Sequence, residues 1–151
     1  MALPPLHAHE QHRLPHSAAL RLPQGAVART LTALAALTIV SGAMQLANPD
    51  GAVAPLGGDL AAAGATARFH VAAIGALLVV FGGLLLHALL SPQPHPAVFL
   101  WVGVEKLAYA AMAALGAAQG IYGSAAYGVT ALDVVAGVLC LIQWRRTRRD
   151  A

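Results

Sequence analysis

Four long apolar runs separated by short polar breaks set the pattern of this chain, at about 30–47, 69–90, 97–118 and 125–144. Each comes close to the 20 or so apolar residues that a helix needs to cross a bilayer. The breaks carry helix-stopping chemistry. Asn48-Pro49-Asp50-Gly51 follows the first run, and Ser91-Pro92-Gln93-Pro94-His95-Pro96 is a short, stiff connector between the second and third. Gln119-Gly120-Ile121-Tyr122-Gly123-Ser124 turns the chain between the third and fourth. Residues 48–66 form the longest predicted loop, and Thr66 is the expected N-cap of the second span.

The predicted fold is all-α: a polytopic membrane protein whose four transmembrane helices form an antiparallel bundle, with both termini cytoplasmic. Residues 1–25 read as a disordered His/Pro-rich tail, 26–146 as the bundle, and 147–151 as a basic C-terminal tail. A signal peptide is the competing reading of the first run. The long leader and an apolar stretch beyond the usual ~7–15 residues argue against it.

Composition agrees with this pattern. The chain is 58% hydrophobic and 10% charged, with a mean hydropathy of +0.68, whereas soluble domains carry about 25% charged residues. The net charge of +3 could suggest nucleic acid, but the positions of the charges point to a membrane. Arg13, Arg21 and Arg29 precede the first run, and Arg145, Arg146, Arg148 and Arg149 follow the last. The loop at 48–66 and the turn at 119–124 hold no Lys or Arg. Cytoplasmic flanks rich in Lys and Arg fix orientation, so the expected location is the cytoplasmic membrane, with the bilayer as surroundings and no nucleic-acid partner. Trp101 and Trp144 then fall near the inner interface, and Phe69, Tyr122 and Tyr127 near the outer one.

Chemistry-bearing residues are few. Cys140 stands alone, so no disulfide framework or thiolate cluster is possible. His7, His9, His12 and His16 make a tract that can bind Zn, Ni or Cu, yet only Glu10 is at hand to complete a site. No metal is therefore expected. No phosphate-cradling loop, nucleophile elbow, HExxH motif or dinucleotide fingerprint is present, so no cofactor is expected either.

The third run holds Glu105 and Lys106 side by side, and the fourth holds Asp133. Charges inside a span are rare and usually face a bundle interior or a wet cavity. At 1.5 Å per residue, Glu105 lies roughly 12 Å and Asp133 roughly 16 Å from the inner ends of their spans, at similar depth. Tyr109 lies four residues beyond Glu105 and Thr130 three before Asp133, so each acid has a hydroxyl on its own helix face. Two readings follow. Glu105, Lys106, Tyr109 and Asp133 can form an intramembrane site that exchanges protons or polarises a carbonyl. Alternatively, Lys106 and Asp133 simply pair to fix helix packing. A direct or one-water contact of Asp133 with Lys106 or Tyr109 is expected in either case, leaving Glu105 to Tyr, His or water. A second candidate set, Gln45, Arg68 and His70 with Gln119 and Tyr122, lies at the outer rim and could bind an anionic ligand or anchor the interface. His87 and His95 read as inner-interface residues without an evident partner.

The layout over residues 27–145 resembles the DoxX-like group of small bacterial four-helix membrane proteins. The resemblance rests on four spans, a glycine-rich second span ending in Gly82-Gly83-Leu84-Leu85-Leu86, and an isolated acid in the last span. It implies a bacterial inner-membrane bundle, some members of the group being linked to membrane redox complexes. The Glu105-Lys106 pair falls outside that pattern, and no site residue carries over. Two functions fit the sequence. One is an accessory bundle that binds a membrane protein partner or a second copy of itself. The other is a small enzyme or carrier that acts on a lipophilic molecule through Glu105, Lys106 and Asp133.

Overall fold

The computed structural model describes residues 24–149. The histidine tract at 7–16 and the last two residues of the expected basic tail lie outside the described residues. Within them every regular element is helical: α1 (Ala26–Ala47), α2 (Pro49–Val53), a 3-10 turn (Ala54–Leu56), α3 (Leu60–Leu90), α4 (Pro96–Ala118) and α5 (Ala125–Arg149). Four of these are long and apolar enough to cross a membrane. Large apolar side chains stand exposed on all four, among them Val40, Leu77, Met112 and Val135. Such extensive apolar surface is what lipid covers in a multi-pass membrane protein.

The helix boundaries follow local chemistry. Asn48 ends α1 and at once caps α2, its side-chain oxygen accepting from Gly51 N–H at 3.0 Å. The long loop expected up to Thr66 is largely helical instead, and Asp59, not Thr66, caps α3. The Asp59 carboxylate accepts from Ala61 and Ala62 N–H at 2.9 and 3.1 Å, and the alanines that follow are the best intrinsic helix formers. This first turn is set apart from the span by Gly64, at φ 86° and ψ −178°, a conformation essentially reserved for glycine. At the other terminus α5 continues through Arg149, past residue 146 where the bundle was expected to give way to a tail. Arginine is a good helix former, and a basic last turn complements the helix dipole.

α1 packs chiefly on α3, and α4 chiefly on α5. Each pair crosses on facing glycines. A Cβ on Gly42 would lie 2.6 Å from the Gly75 carbonyl oxygen, and one on Gly75 would lie 2.6 Å from that of Gly42. Further along, Gly82 meets the Ala35 carbonyl and the Ile39 side chain. On the second pair, Gly103 and Gly137 face each other, each hypothetical Cβ lying 3.1–3.2 Å from the other's carbonyl oxygen. The two pairs join at both ends. Where α1 begins and α5 finishes, a core of Leu31, Ala35, Leu85, Phe99, Val102 and Cys140 draws on all four long helices. At the opposite end, Gly123 N–H donates to the Leu56 carbonyl at 2.7 Å, tying the α4–α5 turn to the α1–α3 connection.

Candidate functional site

The α4/α5 crossing places the charged residues. Below the Gly103–Gly137 contact, Leu107 packs on Gly137, and Lys106, three residues after Gly103, shares the face of α4 turned toward α5. Its Nζ lies 3.2 Å from Asp133 Oδ1. Both side chains are inside the protein, with Lys106 only 3% and Asp133 only 9% exposed. The expected contact of Asp133 is formed, and Lys106 is the partner.

Glu105 is the odd member. Its Oε2 lies 3.9 Å from Lys106 Nζ, is buried, and has no hydrogen-bond partner. One ammonium thus stands between two carboxylates and is closer to Asp133. The expected hydroxyl support is not formed. Thr130 Oγ1 donates back to the Ala126 carbonyl at 3.0 Å, the common i−4 bond of a threonine within a helix. Among the described residues, no side-chain hydrogen bond links Tyr109 to either acid. Tyr109 is half-buried one turn beyond Glu105, on the same helix but outside the ion cluster.

The outer-rim set does not converge. Arg68 is taken up by Asp50, its Nε lying 3.0 Å from each carboxylate oxygen. That pair clamps α2 to the start of the α3 span. His70 sits tilted against Phe69, ring centroids 6.1 Å apart, while Gln45 packs its Cβ beside Gly75 at the α1/α3 crossing. Tyr122 lies over Gly116. Sequence spacing put these residues at one level without showing which helix face each occupies. His87 and His95, by contrast, do have partners. Their rings lie 5.5 Å apart across the α3–α4 connector, and His95 Nε2 is 3.0 Å from Ser91 Oγ. The short connector was the available signal, because it folds residues eight apart back onto each other.

Among the described residues no group of three His, Cys, Asp or Glu side chains is placed to hold a metal ion. Surface hollows form along α5, at Trp144 with the arginines after it and at Val138, Leu141 and Ile142. Neither is lined by Glu105, Lys106 or Asp133. Chemically, the polar centre can hold two helices in one register and can carry a proton on a carboxyl group. Comparison with family models, with curated proteins and with solved structures gives no match.

Proposed function

We propose that this chain is a protein of the cytoplasmic membrane with four antiparallel spans and both termini in the cytoplasm. In this reading it works without catalysis, as an accessory bundle that binds a membrane protein partner or a second copy. The observation that carries the proposal is the enclosure of Lys106. The one cation of the polar centre is spent on Asp133 of the neighbouring helix, so the charges serve helix packing. The contact register supports the antiparallel arrangement, since Gly42 meets Gly75 while Ala35 meets Gly82, and Gly103 meets Cys140 while Lys106 meets Asp133. Arginines at one end, and an Arg68 already neutralised by Asp50 at the other, support the orientation. Membership of the DoxX-like group belongs to the same proposal and rests on the layout of residues 27–145.

The outward face of α4 supports partner binding. Trp101 and Met112 are 64% and 67% exposed, and the alanines Ala108 and Ala111 between them are exposed as well, so a neighbouring helix could approach closely there. A photocrosslinking residue placed at Met112 and activated in the native membrane should give an adduct of one defined protein mass. Adducts with lipid alone would overturn the proposal. The second reading, an enzyme or carrier for a lipophilic molecule using Glu105, Lys106, Tyr109 and Asp133, is favoured by one observation: the unpartnered Glu105 oxygen.

A further inference from the structure

The last turns of α5 change character along a single face. Val138, Leu141, Ile142 and Arg145 follow the i, i+3, i+4, i+7 spacing of one helix face, and together they line a shallow, open apolar hollow on the surface of α5. The same face continues into Arg148 and Arg149. With Trp144 and Arg145, these line a second open hollow. Arg145 therefore belongs to both hollows, apolar on one side of it and cationic on the other.

The change falls where the helix leaves the bilayer, since 125–144 already supplies the 20 or so residues of a span. Arg148 is held in place by its guanidinium lying 5.3 Å over the Trp144 ring, a cation–π contact that leaves its N–H edge free to bind. Among the described residues, no carboxylate comes within ion-pair reach of Arg145, Arg148 or Arg149. Even with Asp150 counted, four arginines face one acid.

We propose that this face binds one anionic glycerophospholipid. Arg145 and Arg148 take the phosphate, whose oxygens suit the planar guanidinium fork, and an acyl chain lies along Val138, Leu141 and Ile142. The order of apolar and cationic surface along α5 matches the order of chain and phosphate in the lipid. The inference rests on the membrane-spanning fold alone and not on the partner-binding reading. Diffuse attraction of basic residues to an anionic membrane is the competing account. It differs in one respect: it makes every arginine at this level equivalent.

Arg146 provides the comparison, because it sits on the same turn but lines neither hollow. The full chain would be purified in mild detergent, stripped of lipid and titrated with phosphatidylglycerol or phosphatidylcholine under native mass spectrometry. Thermal unfolding of each variant would confirm that it is folded. Phosphatidylglycerol should be retained about tenfold better than phosphatidylcholine. Arg145→Gln and Arg148→Gln should each lower that retention by about tenfold, as loss of a charge-assisted hydrogen bond implies. Arg146→Gln should change it less than twofold. Equal losses for Arg146→Gln and Arg145→Gln, or equal retention of the two lipids, would overturn the site. Complete displacement by millimolar inorganic phosphate would also overturn it, by showing a site for free phosphate rather than lipid.

Discussion

The α1/α3 and α4/α5 pairs solve the same problem by different means. Both bring two apolar helices together in an apolar surrounding, where burying more apolar surface gives little advantage over lipid and close packing must hold the helices. The first pair relies on approach alone. Gly42 and Gly75 let the two backbones come so near that a single added methyl group would meet a carbonyl oxygen at 2.6 Å. The second pair crosses less tightly on Gly103 and Gly137, at 3.1–3.2 Å, and adds the Lys106–Asp133 ion pair at 3.2 Å. Backbone contact gives proximity, but small residues repeat along a helix and leave register weakly defined. A buried ion pair can be made in only one register, which is the best-attested use of such pairs.

Breaking the ion pair should show the largest difference between the two. Lys106→Met leaves Asp133 and Glu105 facing each other without a cation, and removing one partner of a buried pair costs about 3–5 kcal/mol. Thermal unfolding in detergent should register a loss of this size. Asp133→Asn should cost less, because Glu105 Oε2 already waits 3.9 Å from the same ammonium and can replace the lost acid. Equal costs for the two variants would show that Glu105 cannot take over.

The glycines come next. Gly75→Ala should destabilise by about 1–3 kcal/mol, the usual range for overpacking, because the obstructing atoms are backbone and cannot rotate away. Gly103→Ala should cost less than that, since its nearest neighbours, Leu141 Cδ2 at 3.1 Å and Cys140 Cβ and the Gly137 carbonyl oxygen at 3.2 Å, stand further off than the 2.6 Å met at Gly75 and need give only slightly. If Gly103→Ala proved as costly as Gly75→Ala, the two crossings would be equally tight, and the contrast drawn above would fail.

The contrast was only half visible in the amino-acid sequence. Hydropathy located all four spans, and counting depth along them put Glu105, Lys106 and Asp133 at one level, which narrowed the partner of Asp133 to Lys106 or Tyr109 without choosing between them. Gly75 and Gly82 in the second run permit close helix approach, but nothing in the sequence names Gly42 as the partner of Gly75. Glycine inside an apolar run carries no chemistry of its own, and which glycines face each other depends on rotation about the helix axis. The early start of α3 was missed for a related reason. The stretch after Asp59 lacks hydrophobic periodicity, so only the cap and its alanines announce it. By their charge Arg148 and Arg149 read as a tail, although their helix propensity points the other way.

The smallest expected effect concerns Glu105. With all three groups charged, the cluster sums to −1, and glutamine at position 105 brings the sum to zero while keeping the shape of the side chain. Glu105 Oε2 makes no hydrogen bond that this change would remove, and Lys106 keeps its nearer partner. Glu105→Gln should therefore cost no more than about 1 kcal/mol, the centre of the usual range for single substitutions, because the one contact it weakens is the long 3.9 Å approach to Lys106. Its consequence should appear only in combination. If Glu105 is the reserve partner of Lys106, then Asp133→Asn made on the Glu105→Gln background strands the ammonium completely. It should then cost about as much as Lys106→Met. The coupling between positions 105 and 133 would be of the order of 0.5–3 kcal/mol, as for groups sharing one charge network. Strict additivity in this cycle would place Glu105 outside the network that locks α4 to α5. Its buried carboxylate would then need an explanation other than packing, which would favour the reading of this centre as a site for a lipophilic molecule.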